Sequence, residues 1–135
     1  MAAGDVAVSA RVLVAEDEPL MAERLVEQLA ELWPEARIVA RAANGHEAWQ
    51  AWLEHVPDVA FLDIRMPGLT GLDVAARIAQ AAVARGSTPT RIVFVTAFDQ
   101  HAIEAFERGA TDYLLKPIER ERLAMTIRRL HEAAP

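Results

Sequence analysis

Val59-Ala60-Phe61-Leu62-Asp63-Ile64-Arg65-Met66-Pro67-Gly68 is a run of apolar residues that delivers one carboxylate to its end and is then broken by Pro67 and Gly68. Within it Val59 to Leu62 fit a short strand buried on both faces, as in the middle of a parallel sheet. In open α/β sheets, ligands and chemistry lie outside the carboxyl ends of the strands, so on this reading Asp63 faces a crevice. The stretch alone also allows a plainer reading, in which Asp63 merely starts a turn before Met-Pro-Gly. The flanking sequence has to decide.

Outward on both sides, strand and helix patterns alternate. Arg11 to Ala15 is a first strand ending in Glu16-Asp17-Glu18, and Pro19 suits the first turn of a helix. Met21, Leu25, Leu29 and Leu32 then form one helical stripe, which Trp33-Pro34 ends. Arg37 to Ala42 reads as a second, more exposed strand. Asn44 is a candidate helix cap, with Glu47 completing a capping box, and Trp49, Trp52, Leu53 and Val56 follow at helical spacing. After Gly71 comes an Ala-rich helix with Leu72, Ala75, Ala76, Ala79 and Val83 expected inward. Arg91 to Ala97, rich in β-branched residues, is a fourth, central strand. A short helix with Ile103 and Phe106 inward and Gly109 as its C-cap precedes a fifth strand, Thr111 to Lys116, which Pro117 stops. The last helix, from about Ile118, turns Leu123, Ile127 and Leu130 inward; its Glu- and Arg-rich face reads as solvated, with helix-spaced ion pairs. The pattern is (βα)5, an α/β fold with a parallel sheet. Residues 1–10 read as a flexible leader and 11–132 as one domain, with no effector domain following.

Composition narrows the function. The 135 residues are 53% hydrophobic and 25% charged, ordinary for one globular domain with a proper core. With no cysteine, disulfides, zinc-thiolate sites and thiol nucleophiles are excluded. His46, His55, His101 and His131 lack metal-ligand spacing. A net charge of −6 argues against a nucleic-acid-binding surface in this segment. No apolar run reaches the ~20 residues of a membrane span, and Met1 to Ala10 carries Asp5 in place of a basic n-region, so it does not read as a signal peptide. The expected location is cytoplasmic.

Five polar groups fall at strand ends: Glu16 and Asp17, Asp63, Thr96 and Lys116. In a doubly wound sheet they share one edge. Singly each has a bland reading; a charged helix start, for example, suits Glu16-Asp17-Glu18. Together they suit phosphoryl transfer. Clustered carboxylates repel unless a cation neutralises them, and a hard divalent ion of Mg²⁺ type fits one or two carboxylates and a phosphoryl oxygen. One carboxylate can then act as nucleophile while metal, ammonium and hydroxyl hold the phosphoryl oxygens, giving an aspartyl phosphate.

Over residues 11–130 the chain resembles the receiver domain of two-component response regulators. The resemblance rests on Glu16-Asp17, Asp63-Ile64-Arg65-Met66-Pro67-Gly68 with Gly71, Thr96-Ala97 and Lys116-Pro117. It implies a flavodoxin-like fold with strand order 2-1-3-4-5, and a signalling switch that assists its own phosphorylation and dephosphorylation but is not otherwise an enzyme. A sensor histidine kinase would donate the phosphoryl group to Asp63. Mg²⁺ would be held by Asp17, Asp63 and the Arg65 backbone carbonyl, with Glu16 acting mainly through a water. Lys116 and Thr96 would contact the phosphoryl group, and the Lys116–Pro117 bond would be cis. Tyr113 matches an aromatic that moves inward with Thr96, shifting the face of the fourth helix and fifth strand. Arg65 and Phe98 occupy positions that tune phosphoryl lifetime; both are bulky and are expected to restrict the attacking water, so Phe98→Ala should speed loss of the phosphoryl group.

Phe94 to Phe106 and Asp112 to Ile118 further resemble the receiver class whose output module is a LytTR DNA-binding domain. DNA would then be reached only through an effector beyond this chain, and a phosphorylation-favoured homodimer through the last two helices and fifth strand is expected. Whether the chain is a stand-alone receiver or a piece of a longer regulator stays open, with the LytTR-like signature favouring the latter. Three alternatives fit less well. A haloacid-dehalogenase-type enzyme wants a second Asp where Arg65 stands. A receiver-like module that is never phosphorylated usually lacks an acidic or Lys position, and none is missing. A flavin or nucleotide binder wants a Gly- or Ser/Thr-rich loop in place of Glu16-Asp17-Glu18.

Overall fold

The central strands alternate their side chains between two hydrophobic layers, which is what a sheet covered on both faces requires. Val12, Val14, Val59, Phe61, Val93 and Val95 point into one layer, and Leu13, Ala15, Ala60, Leu62, Ile92 and Phe94 into the other. The computed structural model describes residues 10–97 and 109–132. Its strands are β1 (Arg11–Ala15), β2 (Arg37–Ala42), β3 (Val59–Asp63), β4 (Arg91–Thr96) and β5 (Asp112–Leu115). They form one parallel sheet in the order β2-β1-β3-β4-β5. This is the expected flavodoxin-like order.

Four helices lie among the described residues: α1 (Pro19–Leu32), α2 (Gly45–His55), α3 (Gly71–Arg85) and α4 (Arg120–Glu132). The helix expected between the fourth and fifth strands, with Ile103 and Phe106, lies outside the described residues. Leu25, Leu29 and Trp33 from the α1 side and Leu123, Ile127 and Leu130 of α4 cover the first layer. Ala48 and Trp52 of α2 and Val74, Ile78 and Ala82 of α3 cover the second. Each large apolar side chain so buried contributes about 1.5–3 kcal/mol. The Trp52 indole is also tied down, donating to the Thr90 hydroxyl (2.8 Å), which donates to the Pro57 carbonyl (2.7 Å).

Several expectations need correction. In α3 the inward stripe is Gly71, Val74, Ile78 and Ala82, and Val83 is 82% exposed. In α2 Ala48 and Trp52 are buried and Trp49 only half-buried. The Asn44 side chain accepts from the Glu47 amide (2.9 Å), but Glu47 returns the bond to the Ala43 amide (2.8 Å), one residue short of the expected box. A complete capping box stands instead at α3, between Thr70 and Asp73. The last helix starts at Arg120, and β5 is one residue shorter at each end than expected. No described helix is long and apolar enough to cross a membrane.

Candidate functional site

β3 and β4 end in a polar residue, Asp63 and Thr96, and β1 and β5 are each followed by one, Glu16 and Lys116, so the apolar register runs out at the same edge of the sheet. Ala15 pairs with Leu62, Asp63 with Val95 and Thr96 with Leu115, so the residues that follow or end these pairs converge. Lys116, one residue past β5, is fixed by its amide donating to the Thr96 carbonyl (2.8 Å). The Lys116–Pro117 bond is cis.

The Lys116 ammonium is the centre of the cluster. Its Nζ lies 2.9 Å from Glu16 Oε1, 3.0 Å from Glu18 Oε1 and 3.0 Å from Asp63 Oδ2. Asp63 and Glu16 are buried, and Oδ1 of Asp63 accepts from the Arg65 amide (3.2 Å). Asp17 joins from the turn after β1: ligand oxygens of Glu16, Asp17 and Glu18 lie within 4.8 Å of one another. Thr96 is buried at the end of β4. Phe98 lies outside the described residues. Tyr113 is half-buried in β5, and its ring faces the Arg122 guanidinium of α4 at 5.4 Å.

The electrostatics follow from this crowding. Burial, and then the neighbouring Glu16 carboxylate, push the Asp63 carboxyl up to about 8, against the pull of Lys116. Burial alone would lower the Lys116 ammonium. Hydrogen bonds to Glu16, Asp63 and Glu18 outweigh it and hold the lysine above its ordinary range. Three carboxylates thus surround one ammonium, with Asp17 beside two of them, and this acidic cluster is made of hard oxygen donors. Such a set fits a small divalent cation of Mg²⁺ type.

The loop after Asp63 is clamped by two close approaches. A Cβ on Gly71 would lie 2.3 Å from the Asp63 carbonyl oxygen, and one on Gly45 would lie 2.0 Å from that of Leu69. Only glycine allows the starts of α3 and α2 to press against this loop.

Two participants were not singled out from the sequence. Glu18 reads as a charged helix start, yet its side chain makes no cap for α1 and reaches Lys116 instead. Asp112 reads as an ordinary strand residue, yet it is fully buried. It accepts from Arg122 (2.8 and 3.0 Å), Arg129 (2.8 Å), the Thr126 hydroxyl (2.7 Å) and the Tyr113 amide (2.9 Å). Those bonds outweigh its burial and hold its carboxyl below the ordinary carboxylate range. Arg122 and Arg129 of α4 therefore pair with the sheet and Arg120 with Glu31 of α1, not with helix-spaced glutamates as expected. The legible signal was the polar stripe Arg122, Thr126, Arg129 on one helical face.

Comparison with known proteins agrees with this fold. A family model described as response regulator receiver domain matches residues 12–128. An uncharacterized response regulatory protein of Vibrio cholerae is 48% identical over 120 residues, covering 89% of this chain and 44% of the relative. The positive alginate biosynthesis regulatory protein of Pseudomonas aeruginosa is 41% identical over 118 residues, covering 87% of this chain and 46% of its own. Among solved structures, the response regulatory domain of protein mrkE from Klebsiella pneumoniae superposes with a TM-score of 0.80 at 32% identity, covering 91% of this chain and 96% of that one. The chain spans about half the length of the curated relatives it matches.

Proposed function

The chain belongs to the response regulator receiver domain family, and from that premise we propose that it is the phosphoacceptor of a two-component system, with Asp63 taking a phosphoryl group from a histidine kinase. The observation that carries this reading is the Lys116 ammonium held within 3.0 Å of Asp63 Oδ2 at a buried, over-acidic strand edge. In the step itself an Asp63 carboxylate oxygen attacks phosphorus and forms the P–O bond. The donor's P–N bond breaks, and the imidazole leaves with the electron pair and takes up a proton from solvent.

Glu16, Asp17, Asp63 and the Arg65 carbonyl are the residues that would hold Mg²⁺, which when bound neutralises charge on the transferring group. Lys116 donates to a phosphoryl oxygen, and Thr96 donates its hydroxyl to another. Tyr113 follows Thr96 and carries the change to the β5–α4 face. Arg65 and Phe98 restrict the water that hydrolyses the product. The chain's motifs and its likeness to the alginate regulator support a LytTR-class output domain that binds DNA, and the phosphorylated face pairs with a second copy.

Intact-mass spectrometry after incubation with a small phosphodonor and Mg²⁺ tests the reading. One phosphoryl adduct is expected, dependent on Mg²⁺ and lost in Asp63→Asn. A folded protein that takes no adduct would move the assignment to an interaction module that works without phosphorylation.

A further inference from the structure

Tyr113 is half-buried against the layer that α2 and α3 cover, and Arg122 of the last helix reaches its ring. Arg122 Nη2 donates to the Tyr113 carbonyl (2.9 Å), and its guanidinium carbon lies 5.4 Å from the centre of the Tyr113 ring. The guanidinium has little freedom. Both of its terminal nitrogens are taken by the two Asp112 oxygens, and Nη1 also donates to the Thr126 hydroxyl (2.9 Å). Asp112 is itself pinned by Arg129 and Thr126. Planar, forked and immobilised, Arg122 presents a fixed cationic surface to the ring.

We infer that Arg122 is a positioning residue for Tyr113: held by Asp112, it retains the ring in its half-buried place beside the guanidinium and so sets the resting balance of the switch. The inference rests on the reading of Tyr113 as the aromatic that moves on phosphorylation. A fixed cation cannot follow a ring that moves away, so the contact belongs to the resting arrangement alone. A contact made in only one of two states shifts their ratio by its full strength. For an exposed cation–π pair that is about two- to fivefold.

Arg129 provides the control. It donates to the same Asp112 oxygen as Arg122 does, without the Tyr113 bonds, so Arg129→Ala weakens the anchor and leaves the ring contact in place.

The chain has a single tyrosine, so incorporation of 3-fluorotyrosine gives one ¹⁹F resonance that reports this ring. The resonance is recorded with and without Mg²⁺ and a small phosphodonor, and the rate of adduct formation is followed by mass in parallel. In the wild type the line should move on phosphorylation. In unphosphorylated Arg122→Ala it should already be displaced toward the phosphorylated position, with adduct formation about two- to fivefold faster. Arg129→Ala should match the wild type in both. Arg122→Lys, which keeps a cation near Asp112 without the planar fork, should fall between and serves if the alanine variant does not fold. A wild-type line that moves while both Arg122 variants keep the resting line and the wild-type rate overturns the inference. A wild-type line that stays still in protein shown by mass to be phosphorylated overturns the switch reading of Tyr113 and the inference with it.

Discussion

Asp112 is a carboxylate with no solvent contact whose two oxygens accept five hydrogen bonds, three of them from arginine. Removing the charge leaves two guanidinium groups facing a neutral partner. Breaking a buried ion pair costs about 3–5 kcal/mol, and the partial exposure of Arg122 and Arg129 reduces that through solvent screening. Asp112→Asn should therefore lower the unfolding free energy at pH 7 by roughly 2–3 kcal/mol. The Asp112 carboxyl is held below its unfolded value of about 3.9. Its stabilisation is thus complete at neutral pH and is lost as pH falls below that value and through the lower, folded one. Urea unfolding of wild type and variant at pH 7 and pH 3 checks this: the gap should narrow in acid. An equal gap at both would mean that the carboxylate's charge is not what matters. Glu16, Asp17, Asp63 and Lys116 were legible in the sequence because each follows or ends an apolar run, and a parallel sheet aligns such ends. Glu18 and Asp112 were not. Glu18 meets a lysine 98 residues away, and Asp112 meets arginines whose stripe on one helical face marks a polar contact without naming the strand residue that receives it.

Strands were the most legible elements, because residues buried on both faces leave an uninterrupted apolar run with sharp ends. β1 and β2 match their expected bounds, β3 runs one residue past its expected end at Leu62, and β4 ends one residue sooner. Helices were legible as helices but less so in their phase. In α3 alanines fill both faces, so hydrophobicity distinguishes inside from outside weakly. The branched side chains Val74 and Ile78, four apart, mark the buried face, while Val83 lies off it. In α2 the true inward pair is Ala48 and Trp52 because Gly45, one turn earlier, must face the Leu69 carbonyl. A contact made by backbone, invisible to any scale of side-chain polarity, thus sets the rotation of that helix.

At the scale of the whole molecule the sheet separates two tasks. Its carboxyl edge gathers the charged groups, while the strand at one margin, β5, with α4 beside it, leaves Leu115 41% and Met125 37% exposed. Large apolar side chains left out in this way suit a face that is covered in another state. On the proposed function, phosphorylation should favour a dimer through this face. Light scattering at tens of micromolar should give twice the monomer mass for the Asp63 adduct and a monomer mass for Asp63→Asn. A monomeric adduct would count against this face as a dimer contact. The α/β architecture followed from alternating periodicities and well-placed breakers, whereas the surface's assembly properties depend on which side chains stay exposed, and that is set only by packing.

The distribution of tryptophan follows from the same two-sided construction. Trp33 lies in the layer under α1 and α4; Trp52, with Trp49 stacked on it at 5.6 Å, lies under α2 and α3. Each hydrophobic layer therefore owns a fluorophore. Replacing Trp33, or Trp49 and Trp52 together, leaves emission from one side only, and whether the two signals fade at the same denaturant concentration reads the cooperativity of the fold without any label.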